Sequence, residues 1–240
     1  MRRFFAEKID IADGKAVLSP DEARHIRNVL RMKTGDEVLL FDGSGTEYRS
    51  VITDFSGDSV TLDILGRGVS SADPEVHVTL FQCLPKQGKM ELIIQKCVEL
   101  GVYAVVPTVS KRCVVKLDGK EQKLQRYNRV SMEASKQCGR ADIPEVKGPA
   151  ELSSIDAKAF DVVLLAYENE TVTTLKKALM DAGKIRSAAV VIGPEGGFEP
   201  AEAEMLISKG AVPVSLGRRI LRTETAGMAA LAQIMYELEQ

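Results

Sequence analysis

Three short segments concentrate residue types that could do chemistry. IGPEGGF (192–198) sets Glu195 among Gly193, Pro194, Gly196 and Gly197, directly after Ile192. SLGRRILRTETA (215–226) carries Arg218, Arg219 and Arg222, with Leu216, Gly217, Ile220 and Leu221 between them and Thr225 and Ala226 behind them. LLAYE (164–168) ends an apolar run in Leu165, Ala166, Tyr167 and Glu168. Several glycines in one turn let a ligand approach the main chain closely. A tight strand-to-helix turn explains one or two of those glycines, but not an acid set between Gly193 and Gly196. Arginines ahead of a helix gain nothing from the helix dipole, whose amino end favours anions. They suit a phosphate, a carboxylate or a developing negative charge. The competing reading is a salt bridge from these arginines to Glu195 or Glu224. Thr223 and Thr225 are candidate N-caps for the helix that follows.

The elements that must position these loops are legible in outline. From His77 onward, apolar runs alternate with helical patterns: HVTLFQCL, a helix around 89–100, AVVPTV, a basic helix over about 121–137, and DVVLLAYE. Then come the helix TTLKKALMDAG, AAVVIG, the helix EPAEAEMLISKG, VPVSLG and a last helix from about Thr223. Continuous rather than alternating apolar runs imply a mostly parallel sheet covered on both faces, an α/β domain. Ligands then bind at the loops leaving the carboxyl ends of the strands. The first seventy residues read differently. SPDE (19–22) forms a capping box opening a helix to about Met32, with Arg24, Arg27 and Arg31 stacked on one face. After Gly35, EVLLFD, TEYRSVITDF and SVTLDIL are short strands with tight polar turns, predicting a small antiparallel barrel. GRGVSSADP (66–74) suits a linker.

Composition bounds the rest. The 240 residues are most simply read as two domains. No apolar run approaches the ~20 residues that span a bilayer, and MRRFFAEKID is charged too early for a signal peptide, which points to a soluble cytoplasmic protein. The four cysteines, Cys83, Cys97, Cys113 and Cys138, make no CxxC pair, so no zinc site is expected. A cytosolic chain of this size rarely needs disulfides. With two histidines and no GxSxG, GxxxxGK[ST] or GxGxxG, serine hydrolysis, nucleotide hydrolysis and hydride transfer are poor fits. The net charge is −2, yet residues 109–140 hold nine basic against three acidic side chains. That cluster either neutralises phosphates or forms a solvated helix face.

IGPEGGF followed by SLGRRILRTETA closely resembles the carboxy-terminal signature of the bacterial RsmE-type ribosomal RNA methyltransferases, uracil-N3 enzymes of the SPOUT (knotted) class that act on small-subunit rRNA. HIRNVLRMKTGD (25–36), PKQGKMELIIQKCVELGV and EASKQCGR (133–140) extend the resemblance along the chain. The resemblance implies a PUA-like β-barrel over 1–70, binding RNA, and a SPOUT α/β domain over 74–240 with a C-terminal trefoil knot. It also implies a homodimer, without metal or membrane, and S-adenosyl-L-methionine held by Leu165–Glu168, Ile192–Gly197, Leu216, Gly217, Ile220, Leu221, Thr225 and Ala226. Its substrate would be a uridine of 16S rRNA within the 30S subunit. On this reading Arg222, and less directly Arg219, stabilises the uracil anion, and Glu195 serves as a base or orients an arginine. Arg24, Arg27, Arg31, Arg112, Lys123, Arg126, Arg129, Lys136 and Arg140 would hold the RNA. The competing classes are a non-catalytic RNA-binding assembly factor and a related knotted enzyme acting on tRNA or a ribose 2′-hydroxyl.

Overall fold

The computed structural model describes residues 1–86, 88–114 and 120–239. Lys116 and Asp118 of the basic segment lie outside the described residues. The chain divides into two units, Met1–Asp73 with Ser135–Ile143, and Pro74–Ala134 with Pro144–Gln240.

The first unit is a six-stranded sheet. Its strands are β1 (Arg2–Phe5), β2 (Lys8–Asp10), β3 (Lys15–Leu18), β4 (Glu37–Phe41), β5 (Thr46–Ser56) and β6 (Ser59–Val69). They run in the order β1-β4-β5-β6-β3-β2. All pairings are antiparallel except β1 with β4, so the barrel pattern read from the sequence is mixed rather than purely antiparallel. β5 and β6 alternate buried and solvent-facing residues along much of their length, which commits one face to a core of Phe4, Leu18, Ile26, Val38, Leu40, Ile52, Val60 and Leu62. β6 continues to Val69, so Gly66–Val69 belongs to a long hairpin and not to a linker.

The Ser19 hydroxyl caps α1 (Pro20–Arg24) by accepting from the Glu22 amide at 3.5 Å. The next turn, His25–Val29, is π-helical, with the Leu30 amide reaching back five residues to His25 O. A widened turn breaks the three- and four-residue register. Arg31 then takes φ +53 and leaves the helix. The helix expected to reach Met32 therefore stops short, and Arg31 does not share the face of Arg24 and Arg27.

The second unit is a parallel sheet of β7 (His77–Cys83), β8 (Ala104–Val109), β9 (Glu145–Val146), β10 (Ala150–Glu151), β11 (Val162–Ala166), β12 (Ser187–Ile192) and β13 (Val212–Val214). The order is β10-β8-β7-β12-β11-β13, with β9 also on β8, and every pairing is parallel. β7, β8, β11 and β12 are buried almost throughout, as strands covered on both faces must be. The helices are α2 (Lys89–Glu99), α3 (Lys120–Cys138), α4 (Leu175–Ala182), α5 (Pro200–Ser208) and α6 (Thr223–Leu238). Phe81, Val106, Leu165, Val191, Phe198 and Leu206 form the core on the α5 side. β9 and β10 have no counterpart in the sequence reading because two-residue strands carry no periodicity.

Candidate functional site

β7, β12, β11 and β13 end level, because Gln82, Ile192, Ala166 and Val214 are successive register partners across the sheet. The three chemically loaded loops leave β11, β12 and β13 side by side at the carboxyl edge.

The loop after β12 is built on close approaches. A β-carbon at Gly193 would lie 3.1 Å from the Phe198 ring. Gly197 has φ +66, and a β-carbon there would collide with the Glu168 carboxylate from the loop after β11. The Gly196 carbonyl accepts from Arg112 Nη1 at 2.8 Å. Glu195 Oε1 accepts from the Lys86 amide at 2.9 Å. The exposed Glu195 thus ties its loop to the turn after β7; its partner is a main-chain N–H, not an arginine.

The loop after β13 passes through Leu216, Gly217 (φ +125) and the exposed Arg218, Arg219 and Ile220 to Leu221 and Arg222. Ile220 is 87% exposed. Arg222 is the N-cap residue of α6 and makes no side-chain cap bond. Thr223 is buried as the first helical residue: its hydroxyl donates to Gly193 O at 2.6 Å and accepts from Gln82 Nε2 at 2.9 Å. Its oxygen ties the ends of β7 and β12 to the start of α6, so the N-cap expectation for Thr223 is corrected. Thr225, exposed, and Ala226, half-buried, sit in the first turn of α6. Glu224 pairs with Lys89 at 3.0 Å. Its own backbone N–H, then Lys89 and Arg222, hold its carboxyl below the ordinary range against the effect of burial. Among the described residues, Arg218, Arg219 and Arg222 form no ion pair, so the salt-bridge alternative does not hold.

Gln82 is the residue that sequence reasoning missed. It is fully buried, its Nε2 also donates to Cys83 O at 3.1 Å, and its Oε1 has no partner. A β-carbon at Gly227 would stand 2.8 Å from that oxygen, so α6 reaches β7 this closely only as glycine. An amide inside the apolar run HVTLFQCL was the available signal.

The nine cations expected on RNA separate into classes. Arg24 pairs with Asp21, Arg27 stacks over Phe55 at 5.4 Å, and Arg31 is exposed. Lys123 is half-buried, Arg129 is exposed, and Arg126 pairs with Glu91 at 2.8 Å. Arg112 is exposed but engaged on Gly196. Lys136 pairs with Glu22 at 2.6 Å and lies 5.9 Å from the Phe5 ring centroid. Arg140 is 2% exposed, bonds both Asp142 oxygens at 2.7 Å, and gives its carbonyl to Arg3. The Arg140 expectation is therefore corrected: its guanidinium is spent inside the protein on a carboxylate. Asp73 accepts from the Ala141 and Asp142 amides at 3.0 and 3.3 Å. Burial, then its hydrogen bond with Asp142, raises the Asp73 carboxyl to about 6. Burial pushes the Asp142 carboxyl upward too, but the hydrogen bonds with Arg140 and Asp73 and the Arg140 charge together hold Asp142 low.

A family model of the RNA methyltransferase domain matches residues 72–235, and one of the RNA methyltransferase PUA domain matches residues 18–65. The chain is 33% identical to the ribosomal RNA small subunit methyltransferase E of Bacillus subtilis (strain 168), across 100% of this chain and 98% of the relative. The chain belongs to the ribosomal RNA small subunit methyltransferase E family. A second relative in this family, from Synechocystis sp. (strain ATCC 27184 / PCC 6803 / Kazusa), is 34% identical over 95% of the chain and 75% of its own length. The crystal structure of the methyltransferase E of Neisseria gonorrhoeae, bound to S-adenosyl methionine, matches with a TM-score of 0.84 at 28% identity, covering 98% of this chain and 97% of that one. In family terms, the α/β unit with the three level loops lies within the methyltransferase match, and β4, β5 and most of β6 within the PUA match. Among the described residues no group of three or more His, Cys, Asp and Glu could hold a metal ion, and no helix is long and apolar enough to cross a membrane.

Proposed function

We propose that this chain transfers a methyl group from S-adenosyl-L-methionine to N3 of a specific uridine in 16S rRNA within the assembled 30S subunit. The observation that carries this reading is Arg222, exposed and without an ion pair among the described residues, next to three loops whose strands end level. When bound, the cofactor supplies an electrophilic methyl on a sulfonium. One observation suits such a ligand: Gln82 Oε1 is a buried acceptor without a partner. The main chain of Ile192–Gly197 and Leu165–Glu168 would hold the cofactor, with Thr225 and Ala226 at the start of α6. Leu216, Ile220 and Leu221 would cover its adenine, which also accounts for the exposure of Ile220.

Uracil N3 must lose a proton before it can attack. The Arg222 guanidinium stabilises that anion, with Arg219 adjacent. Donors of this kind are worth about 10²–10³ in rate. Glu195, engaged on the Lys86 amide, acts by holding the loop. Alignment of N3 with the methyl contributes much of the remainder, ~7–11 kcal/mol when geometry is good. N3 lies on the pairing edge, so the enzyme takes an unpaired or extruded uridine. Exposed Arg24, Arg27 and Arg129 are suited to flanking phosphates. With only 5% aromatic residues, stacking platforms for free RNA are scarce, which favours the assembled subunit in the cytoplasm.

The proposal extends to the organisation of the chain: residues 1–70 as an RNA-binding barrel and 74–240 as a SPOUT domain with a trefoil knot. The hydrogen bond from Thr223, after the loop that leaves β13, to the Gly193 carbonyl, after β12, is consistent with the knot. Exposed Val172, Met180 and Tyr236 support a homodimer.

Labelled S-adenosylmethionine offered with unmethylated 30S subunits, and separately with naked rRNA, tests the reading. Label in N3-methyluridine from the subunits is expected. Label in another nucleoside replaces the target, and cofactor binding without label favours the assembly-factor reading.

A further inference from the structure

The four cysteines are free thiols, and two of them share one packed cluster. Cys83 ends β7, next to Gln82, and is fully buried. Its register partner on β8 is Thr108, whose carbonyl accepts the Leu84 amide at 3.0 Å. Beyond β8 the chain turns back: the Cys113 amide donates to Ser110 O at 3.0 Å, and Cys113 Sγ comes within 3.8 Å of the same Thr108 carbonyl. The turn thus brings Cys113 beside β7, packed against the core cluster that contains Cys83 and Phe198. Cys113 remains partly exposed.

We propose that Cys83 and Cys113 are a reversible dithiol–disulfide pair, oxidised by low-molecular-weight disulfides, that controls the loop carrying Gly196.

The two thiols differ in the way such a pair requires. The hydrogen bond from Cys83, with further bonds from Ser110, holds Cys113 down to about 6 against the opposing effect of burial. That same hydrogen bond, then burial, pushes Cys83 well up. Cys113 is therefore the accessible thiolate and Cys83 the sheltered resolving thiol. Cys113 sulfur attacks one sulfur of the small disulfide; that S–S bond breaks, and the first small thiol leaves carrying the proton that Cys113 gave to solvent. Cys83 sulfur then attacks the Cys113 sulfur of the mixed disulfide, and the second small thiol departs with the Cys83 proton. Two protein thiols and one small disulfide become one protein disulfide and two small thiols. Cys97, alone in α2 and pushed up by burial to about 12, is an internal control.

The pair sits where it can be felt. Arg112, one residue before Cys113, holds the Gly196 carbonyl at 2.8 Å, and the Lys111 amide holds Glu202 Oε1 at 2.8 Å. Drawing Cys113 onto Cys83 shifts both anchors. The expected consequence is weaker S-adenosylmethionine binding by about fivefold or more, a clause that rests on the function proposed above.

The full chain, treated with oxidised glutathione, alkylated with iodoacetamide and digested, tests the pairing without any activity. A linked Cys83–Cys113 peptide that dithiothreitol removes is expected. In Cys83→Ser, glutathione remains on Cys113. In Cys113→Ser, a change at a partly exposed site that leaves the core strand intact, no linked peptide forms and Cys83 stays unmodified. A glutathione adduct that persists on Cys113 of the unmodified sequence, or no reaction at either cysteine, overturns the pair. Equal cofactor affinity of the oxidised and reduced proteins overturns the link to the loop.

Discussion

The loop that follows β13 and the stretch that ends α3 both gather basic residues within a few positions, and the two spend that charge in opposite ways. Around Arg140 the chain supplies its own anions: Asp142 grips the guanidinium from two sides, Asp73 lies behind it, and four residues earlier Lys136 is held by Glu22. Around Arg222 no carboxylate of the described residues forms an ion pair with it, because Glu224 is paired with Lys89 and Glu195 with the Lys86 amide. A buried, partnered arginine is committed to the fold, whereas an exposed arginine whose neighbouring carboxylates are engaged elsewhere remains accessible for the role proposed above. Local density of Lys and Arg does not distinguish the two; the placement of the acids does.

Four measurements break or sharpen that contrast. Arg140→Ala leaves Asp142 and Asp73 in the interior without their cation and is expected to cost about 3–5 kcal/mol in urea unfolding. A loss near zero would return Arg140 to the ligand-binding side. Arg222→Ala is expected to lower methyl transfer by about 10²–10³ while leaving unfolding nearly unchanged; the reverse pattern would make Arg222 structural. Reversing Lys123, Arg126 and Arg129 to glutamate is expected to weaken RNA binding and flatten its salt dependence, by about 0.7 in logarithmic slope for each phosphate of single-stranded RNA that is no longer neutralised. Unchanged binding assigns that face of α3 to solvent.

The smallest effect is a pH dependence. Asp73 is raised from 3.8 to about 6, so the folded protein holds a proton there that the unfolded chain gives up earlier. Its contribution to stability is present below about pH 4 and is lost as pH rises towards about 6. The Asp73–Asp142 pair titrates together, and Arg140 keeps the charge on Asp142. Subtracting the stability profile of Asp73→Asn from that of the unmodified chain should reveal this step; identical profiles would remove Asp73 from the network.

The legible parts of the sequence are those with a long period or an unusual composition. The apolar runs of β7, β8, β11 and β12, the helices between them, and the glycines and arginines of the two late loops all announce themselves locally. β1, β2 and β3 escape notice because strands of three or four residues offer too few alternations. The π-helical turn at His25–Val29 escapes because residue spacing cannot reveal which carbonyl an amide will choose. Arg140 reads wrongly from sequence because its partners Asp73 and Asp142 are recognisable only once the chain has brought 135–143 beside the first sheet. The bond from Gln82 to Thr223 spans 141 positions, beyond any local pattern.

That span has a kinetic meaning. The Thr223 hydroxyl, which joins the ends of β7 and β12, cannot arrive until most of the second unit is in place, and contacts so distant along a chain form slowly. A refolding molecule would acquire its sheet well before its pocket. Fluorescence or amide protection would recover first, and the ability to retain a ligand would return in a separate, later phase set by the docking of α6.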